Sequence, residues 1–169
     1  MKRLITPLAV CVASILVAQT TPSTKPVTTK AAYSVMSRHE AALSSVVKGV
    51  TPTNQKGDAT PMSRSTFILE LERVFDEAKP SFRWTPRHMR VIEPVIAKYN
   101  ADPKIQAALK KLSRYGCIAP VGPIVVGPGD TLTPRQFGDA LGFFNVRISH
   151  LVHQPDPKWS PDLTFDTGT

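Results

Sequence analysis

No stretch of this sequence is long and apolar enough to cross a membrane. The apolar stretch near the N-terminus runs from Leu4 to Ala18, which is 15 residues, whereas a membrane span takes about 20 apolar residues. Lys2 and Arg3 precede it and the small Ala18 ends it, which is the pattern of a secretory signal peptide. We therefore predict a signal peptide over residues 1–18, and no stable membrane span once it is cleaved.

Cysteine is also scarce, because only Cys11 and Cys117 occur. Cys11 lies within the predicted signal peptide. A lipid-attachment site there is an alternative, but Val10 stands where such sites have Gly, Ala or Ser. After cleavage one thiol remains, so an intramolecular disulfide is excluded and packing must hold the domain together. We expect Cys117 to be a buried, inert thiol, with intermolecular pairing as the alternative.

Acidic residues are fewer than basic ones. The chain has 21 Lys and Arg against 13 Asp and Glu, a net charge of +8, and removal of Lys2 and Arg3 leaves about 8 − 2 = +6. A basic exported protein is attracted to anionic polymers and surfaces. Export argues against nucleic acid, so the predicted partner is an anionic cell-wall polymer or an envelope protein. The predicted location is secreted or cell envelope, either periplasm or cell surface.

The mature chain divides into three parts. Residues 19–33 are rich in Thr and Pro and predict a flexible linker. Residues 34–154 hold the helical patterns described next, and residues 155–169 form an acidic, Pro-containing tail. Without the signal peptide 169 − 18 = 151 residues remain, which is enough for one domain with a hydrophobic core.

Helical periodicity dominates residues 34–154 and predicts a mainly α domain of helix–loop–helix units with long Gly/Pro loops. Three helix starts combine a capping residue with a proline at the first helical position. Pro94 is expected to kink the third helix. The five predicted helices start at Ser34 or Ser37, Ser63, Thr85, Asp102 and Thr133, and end near Gly49, Pro80, Tyr99, Gly116 and Val152.

Glycine and proline concentrate between the fourth and fifth predicted helices, in residues 116–132. This loop lacks the Lys-Ser/Thr pair of a phosphate-binding loop. The apolar residues 124–126 predict a short strand within it. Gly138 and Gly142, one turn apart in the fifth helix, reduce helix stability. We therefore expect another backbone to approach them closely.

Two helix starts share a pattern of a Gly-Asp pair, a capping hydroxyl, a basic residue, and a phenylalanine four residues after the cap. Apart from the basic residue, these are Gly57, Asp58, Ser63 and Phe67 in the first copy, and Gly129, Asp130, Thr133 and Phe137 in the second. Self-similarity on this scale predicts two related units, at about 35–79 and 102–153.

This arrangement resembles the S-layer homology domain, in which a helix, a Gly/Asp/Pro loop and a Thr-Arg-Ala-Glu-Phe-like helix start follow one another. ALKKLSRYGCI (108–118) is similar to the first helix and its exit, and GPGDTLTPRQFGDAL (127–141) to the loop and the second helix start. The resemblance implies binding of acidic cell-wall glycopolymers, with Arg64 and Arg135 at or beside the family's arginine. Thr66 and Gln136 replace the family's acid, which makes a shared fold a stronger expectation than retained binding.

Basic residues concentrate between Lys79 and Arg114, where nine Lys and Arg accompany two acids. Three of the arginines flank a tryptophan, and a guanidinium can hold a carboxylate or phosphate with two hydrogen bonds. A solvated helix surface is the alternative interpretation. Together with the resemblance, this segment gives the candidate ligand-binding residues Arg64, Arg83, Trp84, Arg87, Arg90 and Arg135.

No set of residues has the spacing of a catalytic site. The acids between Glu70 and Glu77 include a pair suitable for hydrolysis, but Glu72 and Asp76 are spaced like the solvent-facing side of a helix. His150 and His153 share a helical face without a third metal ligand at useful spacing. We predict no enzyme activity, no cofactor and no metal.

These expectations combine into one hypothesis and one alternative. The first is a non-enzymatic, exported cell-envelope protein that associates with cell wall or surface polymer. The alternative is a secreted helical adaptor or inhibitor that binds a protein partner through an apolar groove.

Overall fold

The computed structural model describes residues 24–83, 85, 96, 100–119, 122–126 and 130–153. The predicted signal peptide, most of the predicted third helix and the acidic tail lie outside these residues. Within them the protein is mainly α, as predicted.

The first helix, α1, spans Thr29–Ser44, and the Oγ1 atom of Thr28 accepts a hydrogen bond from the backbone N–H of Ala31. The predicted start at Ser34 or Ser37 was therefore wrong, and residues 29–33 of the predicted linker belong to α1, whereas residues 19–23 lie outside the described residues. Val27 is buried, and its N–H donates to the carbonyl oxygen of Leu132. This segment is part of the domain because distant residues supply its partners.

Helix α2 spans Arg64–Ala78, and a short 3-10 helix over Lys79–Ser81 continues it. Ser63 caps α2, because its Oγ accepts a hydrogen bond from the N–H of Thr66. The predicted start and end are confirmed. The apolar side chains of α2 recur at helical spacing and lie in the core, which makes α2 the central helix.

Helix α3 spans Pro103–Arg114 and corresponds to the predicted fourth helix. Asp102 caps it through a hydrogen bond from the N–H of Lys104, at 2.8 Å. It ends at Arg114, and Gly116 two residues later has a φ of 66°, the left-handed conformation that glycine favours after a helix end. These bounds confirm the prediction.

Residues 124–126 do not form the predicted strand. They belong to a single helical turn, α4, over Pro123–Val126. Ile124 and Val125 are buried, so the apolar run reflects burial in the core rather than strand pairing. A short apolar run does not distinguish these two cases.

The last helix, α5, spans Pro134–His153 and confirms the predicted fifth helix. Thr133 and Gln136 form a reciprocal cap, in which each side-chain oxygen accepts the other residue's backbone N–H. Among the described residues nothing lies within 4 Å of a Cβ atom added at Gly138 or Gly142, so none of them makes the expected close approach.

The predicted third helix lies almost entirely outside the described residues. Ile96 is buried in the core and its carbonyl oxygen accepts the N–H of Asn100. In the described part of the chain, α2 packs on α3 and α5, while α1 and α4 pack on α5.

The starts of α1, α2 and α5 meet at one end of the domain. Isolated bridges pair Thr28 with Pro61 and Ser63 with Thr131. The N–H of Arg64 also donates to the carbonyl oxygen of Asp130, at 2.6 Å. The two helix starts that share a sequence pattern are therefore side by side in space, and we call this the start end of the domain.

Candidate anion-binding surface

Opposite the start end, the C-terminal ends of α2, α3 and α5 converge. The N–H of Arg83, after α2, donates to the carbonyl oxygen of Leu151 in α5, at 3.0 Å. The Nε of Arg147 in α5 donates to the carbonyl oxygen of Tyr115, which follows α3, at 2.7 Å. The Oγ of Ser81 donates to the carbonyl oxygen of Lys48, which brings the residues after α1 to the same place.

Aromatic rings fill the space between these helix ends. The Tyr115 ring lies edge-on to Phe75, with 4.9 Å between centroids, and 5.9 Å from Phe82. The Nζ of Lys79 lies 6.0 Å from the Tyr115 ring centroid, at the limit of a cation–π contact. The rings give the surface above them a rigid base.

Four cationic side chains are exposed around this convergence. We call them the basic end, and they are Lys48, Lys79, Arg83 and Arg114. None of the four forms an ion pair with another residue in the part of the chain that the structure describes. Helix C-termini carry partial negative charge, which stabilises nearby cations by about 0.3–1 kcal/mol each. The full positive charges remain available to an anion from solvent.

The nearby acids on α2 do not neutralise the basic end, because other cations hold them. The Nζ of Lys111 lies 2.6 Å from Glu72 Oε1 and 2.9 Å from Asp76 Oδ2. Burial alone lowers the pKa of Lys111, but the bonds to Glu72 and Asp76 raise it overall. Through their ion pairs with Lys111, these two acids connect α2 to α3, whereas the sequence spacing predicted a solvent-facing helix side.

Arg73 holds three carboxylates. Its nitrogens lie 2.9 Å from Glu40 Oε1, 3.0 Å from Glu70 Oε2 and 2.8 Å from Glu77 Oε1. Glu40 is 3% exposed and Glu70 8%. Burial raises the pKa of Glu40, although a hydrogen bond from Thr53 and the charge of Arg73 oppose the shift.

Burial alone lowers the pKa of the Arg73 guanidinium, but its bonds to Glu70 and Glu77 and the charge of Glu40 raise it overall. The cluster joins α1 to α2. The carboxylates considered for hydrolysis are thus each paired with Arg73 or Lys111.

The predicted ligand-binding residues are distributed over different parts of the molecule. Arg83 belongs to the basic end. Arg135 is exposed near the start end, with its Nε 3.7 Å from Asp139 Oδ2. Trp84, Arg87 and Arg90 lie outside the described residues.

Arg64 corrects the prediction, because it is only 6% exposed. Burial lowers the pKa of its guanidinium, and the charge of Asp130 opposes that shift. The side chain lies on the face of α2 that is covered by the second helix start, which argues against a surface contact with a ligand. The sequence resemblance that singled out Arg64 did not reveal this burial.

Sequence reasoning did not single out Lys48, Lys79 and Arg114. Lys79 and Arg114 are the first and last residues of the basic segment, so the composition of that segment was a weak indication of their role. Lys48 belongs to a different segment, and only the contact between Ser81 and Lys48 places it at the same end.

A second surface feature is a shallow groove between α1 and α5. His39, Ala42, Leu43, Val46 and Asn145 line it. The Nδ2 of Asn145 and the Nδ1 of His39 are 2.7 Å apart and form a hydrogen bond across it.

Three large apolar side chains are exposed in this part of the sequence, Val46 just after α1 and Phe143 and Val146 on α5. Val46 is 52% exposed, Phe143 45% and Val146 73%. Of these, Val46 lines the groove, and an exposed apolar lining is typical of contact sites.

Cys117 is buried, as predicted, and burial raises the pKa of its thiol to about 12. The Nδ1 of His153 bonds to the carbonyl oxygen of Ser149. Burial and the charge of Arg147 lower the pKa of His150. Among the described residues, no group of three His, Cys, Asp or Glu side chains has metal-binding geometry.

No family model matches the chain, and the comparisons with curated proteins and with solved structures found no significant similarity. In the described ranges, no helix combines the length and the apolar character that crossing a bilayer requires.

Proposed function

We propose that this chain is a non-enzymatic, exported cell-envelope protein that binds an anionic cell-wall or surface polymer through its basic end. The observation that carries this proposal is the convergence of Lys48, Lys79, Arg83 and Arg114 without an acidic partner among the described residues. The segment that follows Arg83 adds Arg87 and Arg90 in sequence. The S-layer homology resemblance supports the same class of ligand.

The physical basis is multivalent electrostatic attraction. A single exposed ion pair contributes about 0.2–1 kcal/mol, so one cation does not hold a polymer. Several cations on a rigid base meet several charges of one polyanion, and the contributions combine. Such binding weakens as salt screens the charges.

The test is binding of the purified protein to cell-wall sacculi across a salt series. A triple variant with Lys48→Ala, Arg83→Ala and Arg114→Ala loses three contacts. At about 0.5 kcal/mol each, the loss is about tenfold in affinity. Lys79 is left in place because it contacts Tyr115.

The matched control removes the same charge from the start end, with Lys25→Ala, Lys30→Ala and Lys56→Ala. All three lysines are exposed. We expect this control to bind nearly as well as the parent protein. Equal weakening of both variants would show attraction to the net charge alone, and salt-independent binding would contradict an electrostatic site.

Export itself has a separate test. N-terminal sequencing of the protein recovered outside the cytoplasm is expected to begin at Gln19. A chain that retains residues 1–18 would contradict the predicted processing.

The adaptor or inhibitor alternative is favoured by one observation, the groove between α1 and α5 with its exposed lining residue Val46 and the exposed Val146 next to Asn145. A protein partner bound there would be lost on substitution of Val146→Asp and unaffected by the triple variant of the basic end. The two candidate functions are thus separable by two variants.

A further inference from the structure

We propose that the groove between α1 and α5 is a docking site for this protein's own C-terminal segment, residues 154–169. This inference does not depend on the anion-binding proposal. The chemistry of the segment is complementary to the lining of the groove, as four arguments show.

The first argument is apolar contact. The groove has an apolar lining on the α1 side, with Ala42, Leu43 and Val46, and the exposed Val146 follows its α5 lining residue Asn145 in sequence. The segment QPDPKWSPDLTFDTGT contains three large apolar residues, Trp159, Leu163 and Phe165. Burial of such side chains stabilises a contact by about 25 cal/mol per Å² of apolar surface.

The second argument is the open space along α5. Gly138 and Gly142 lie seven and three residues before Asn145, so they share the face of α5 on which Asn145 lines the groove. A Cβ atom added at either glycine meets nothing within 4 Å. Among the described residues this strip of α5 beside the groove is therefore uncovered, and an extended segment can lie over it with room for a methyl group at either position.

The third argument is reach. The segment begins directly after His153, where α5 ends. Asn145 lies eight residues before that end, about 12 Å along the helix axis at 1.5 Å per residue. Sixteen residues in extended form reach about 50 Å, which is enough to turn back and follow the groove over its length.

The fourth argument is charge. The segment has Asp156, Asp162 and Asp166 against Lys158, a net charge of 1 − 3 = −2. Exposed cations flank the groove residues 39–46 in sequence, with Arg38 before His39 and Lys48 after Val46. An acidic segment with large apolar side chains therefore matches both the lining of the groove and its surroundings.

The test follows the fluorescence of Trp159 in the full chain. The chain has two tryptophans, so Trp84→Phe leaves Trp159 alone. The expected result is a blue-shifted emission and a quenching constant for acrylamide about threefold below that of the synthetic peptide 154–169, because a ring packed on protein meets fewer quencher molecules.

Substitution of Val146→Asp in this background is expected to expose Trp159, since a carboxylate repels the acidic segment and removes an apolar contact. Ala107→Asp is the matched control, because Ala107 is an exposed residue of α3. It adds the same charge away from the groove and should leave Trp159 shielded. Far-ultraviolet circular dichroism checks that each variant is folded.

A second measurement separates the segment from a second copy of the chain. The pair Val146→Cys and Leu163→Cys is expected to form a disulfide within one chain on mild oxidation, whereas Ala107→Cys with Leu163→Cys is not.

Three results would overturn the proposal. They are a Trp159 as accessible as in the free peptide, a shielding that Val146→Asp leaves unchanged, and a disulfide that links two chains. The last result would assign the groove to self-association.

Discussion

The ring of Phe67 lies against the ring of Phe137, with 4.8 Å between centroids and an interplanar angle of 47°. Each phenylalanine follows the capping residue of its helix by four positions, after Ser63 in α2 and after Thr133 in α5. Because the first turns of two long helices meet through these rings, the contact joins the two sequence units at the start end.

Phe67→Ala is expected to lower the free energy of unfolding by about 3–5 kcal/mol, because Phe67 is fully buried and the change leaves a cavity. Urea denaturation followed by circular dichroism measures this loss. Phe143→Ala is the matched control on α5, where the exposed ring loses less contact, and a change of about 1 kcal/mol or less is expected. Equal losses for the two variants would contradict the described core.

Alanine at Gly138 or Gly142 is expected to stabilise the protein by about 0.5–1 kcal/mol at each position. Both glycines are helical, and no described residue lies within 4 Å of an added Cβ atom. Thermal unfolding of the single variants checks the sign.

Gly57→Ala is the contrasting variant, because its Cβ atom would lie 2.2 Å from the carbonyl carbon of Thr29. We expect that variant to be destabilised. Destabilisation by alanine at Gly138 would instead show that another backbone does approach α5.

Arg73→Met is expected to destabilise the protein by about 3 kcal/mol, because it leaves the buried Glu40 and Glu70 without their cation. Arg38→Met, an exposed arginine on α1, is the control and should change stability by less than about 0.5 kcal/mol. Chemical denaturation at pH 7 gives both values. An Arg73 variant as stable as the control would show that the carboxylates are solvated.

The pH dependence of stability is expected to contain two opposite contributions. Burial raises the pKa of Glu40 above its ordinary 4.5. Hydrogen bonds from Thr60 and Thr29 lower the pKa of Asp58 below its ordinary 3.8. The stability from Glu40 is fully present below its unfolded pKa and is lost as pH rises through the folded value. The stability from Asp58 is present above its unfolded pKa and is lost as pH falls through the folded value.

Free energies of unfolding between pH 7 and pH 3 test these signs. Glu40→Gln should remove a gain in stability that the parent shows as pH falls from 7 towards 4.5, and Asp58→Asn should reduce the loss below about pH 4. The slope against pH is the readout, because Glu40→Gln also removes the ion pair with Arg73. Parallel curves for parent and variants would refute both assignments.

Cys117 is expected to resist alkylation in the folded protein at pH 8, because its thiol is buried and has a pKa of about 12, so little thiolate forms. Mass spectrometry after treatment with iodoacetamide should show modification only once denaturant is added. Rapid modification of the native protein would contradict the burial of this thiol.

The amino-acid sequence alone determined the helices that begin with a strong local signal. Ser63, Asp102 and Thr133 each cap a helix where the sequence predicts one, because a cap depends on residues only two or three positions away. The apolar faces of α2, α3 and α5 followed from periodicity in the same way. The start of α1 at Thr29 could not be predicted in this way, because the backbone hydrogen bonds that hold Val27 in place are made with the distant residues Leu132 and Met62.

Only the tertiary structure decided which charges are available at the surface. Arg64 and Arg83 look alike in sequence, yet a second helix start covers Arg64, while Arg83 is exposed beside Lys48, Lys79 and Arg114. The open strip at Gly138 and Gly142 was likewise invisible to the sequence. Exposure depends on which distant segment packs over a residue, and local propensity contains no information about that.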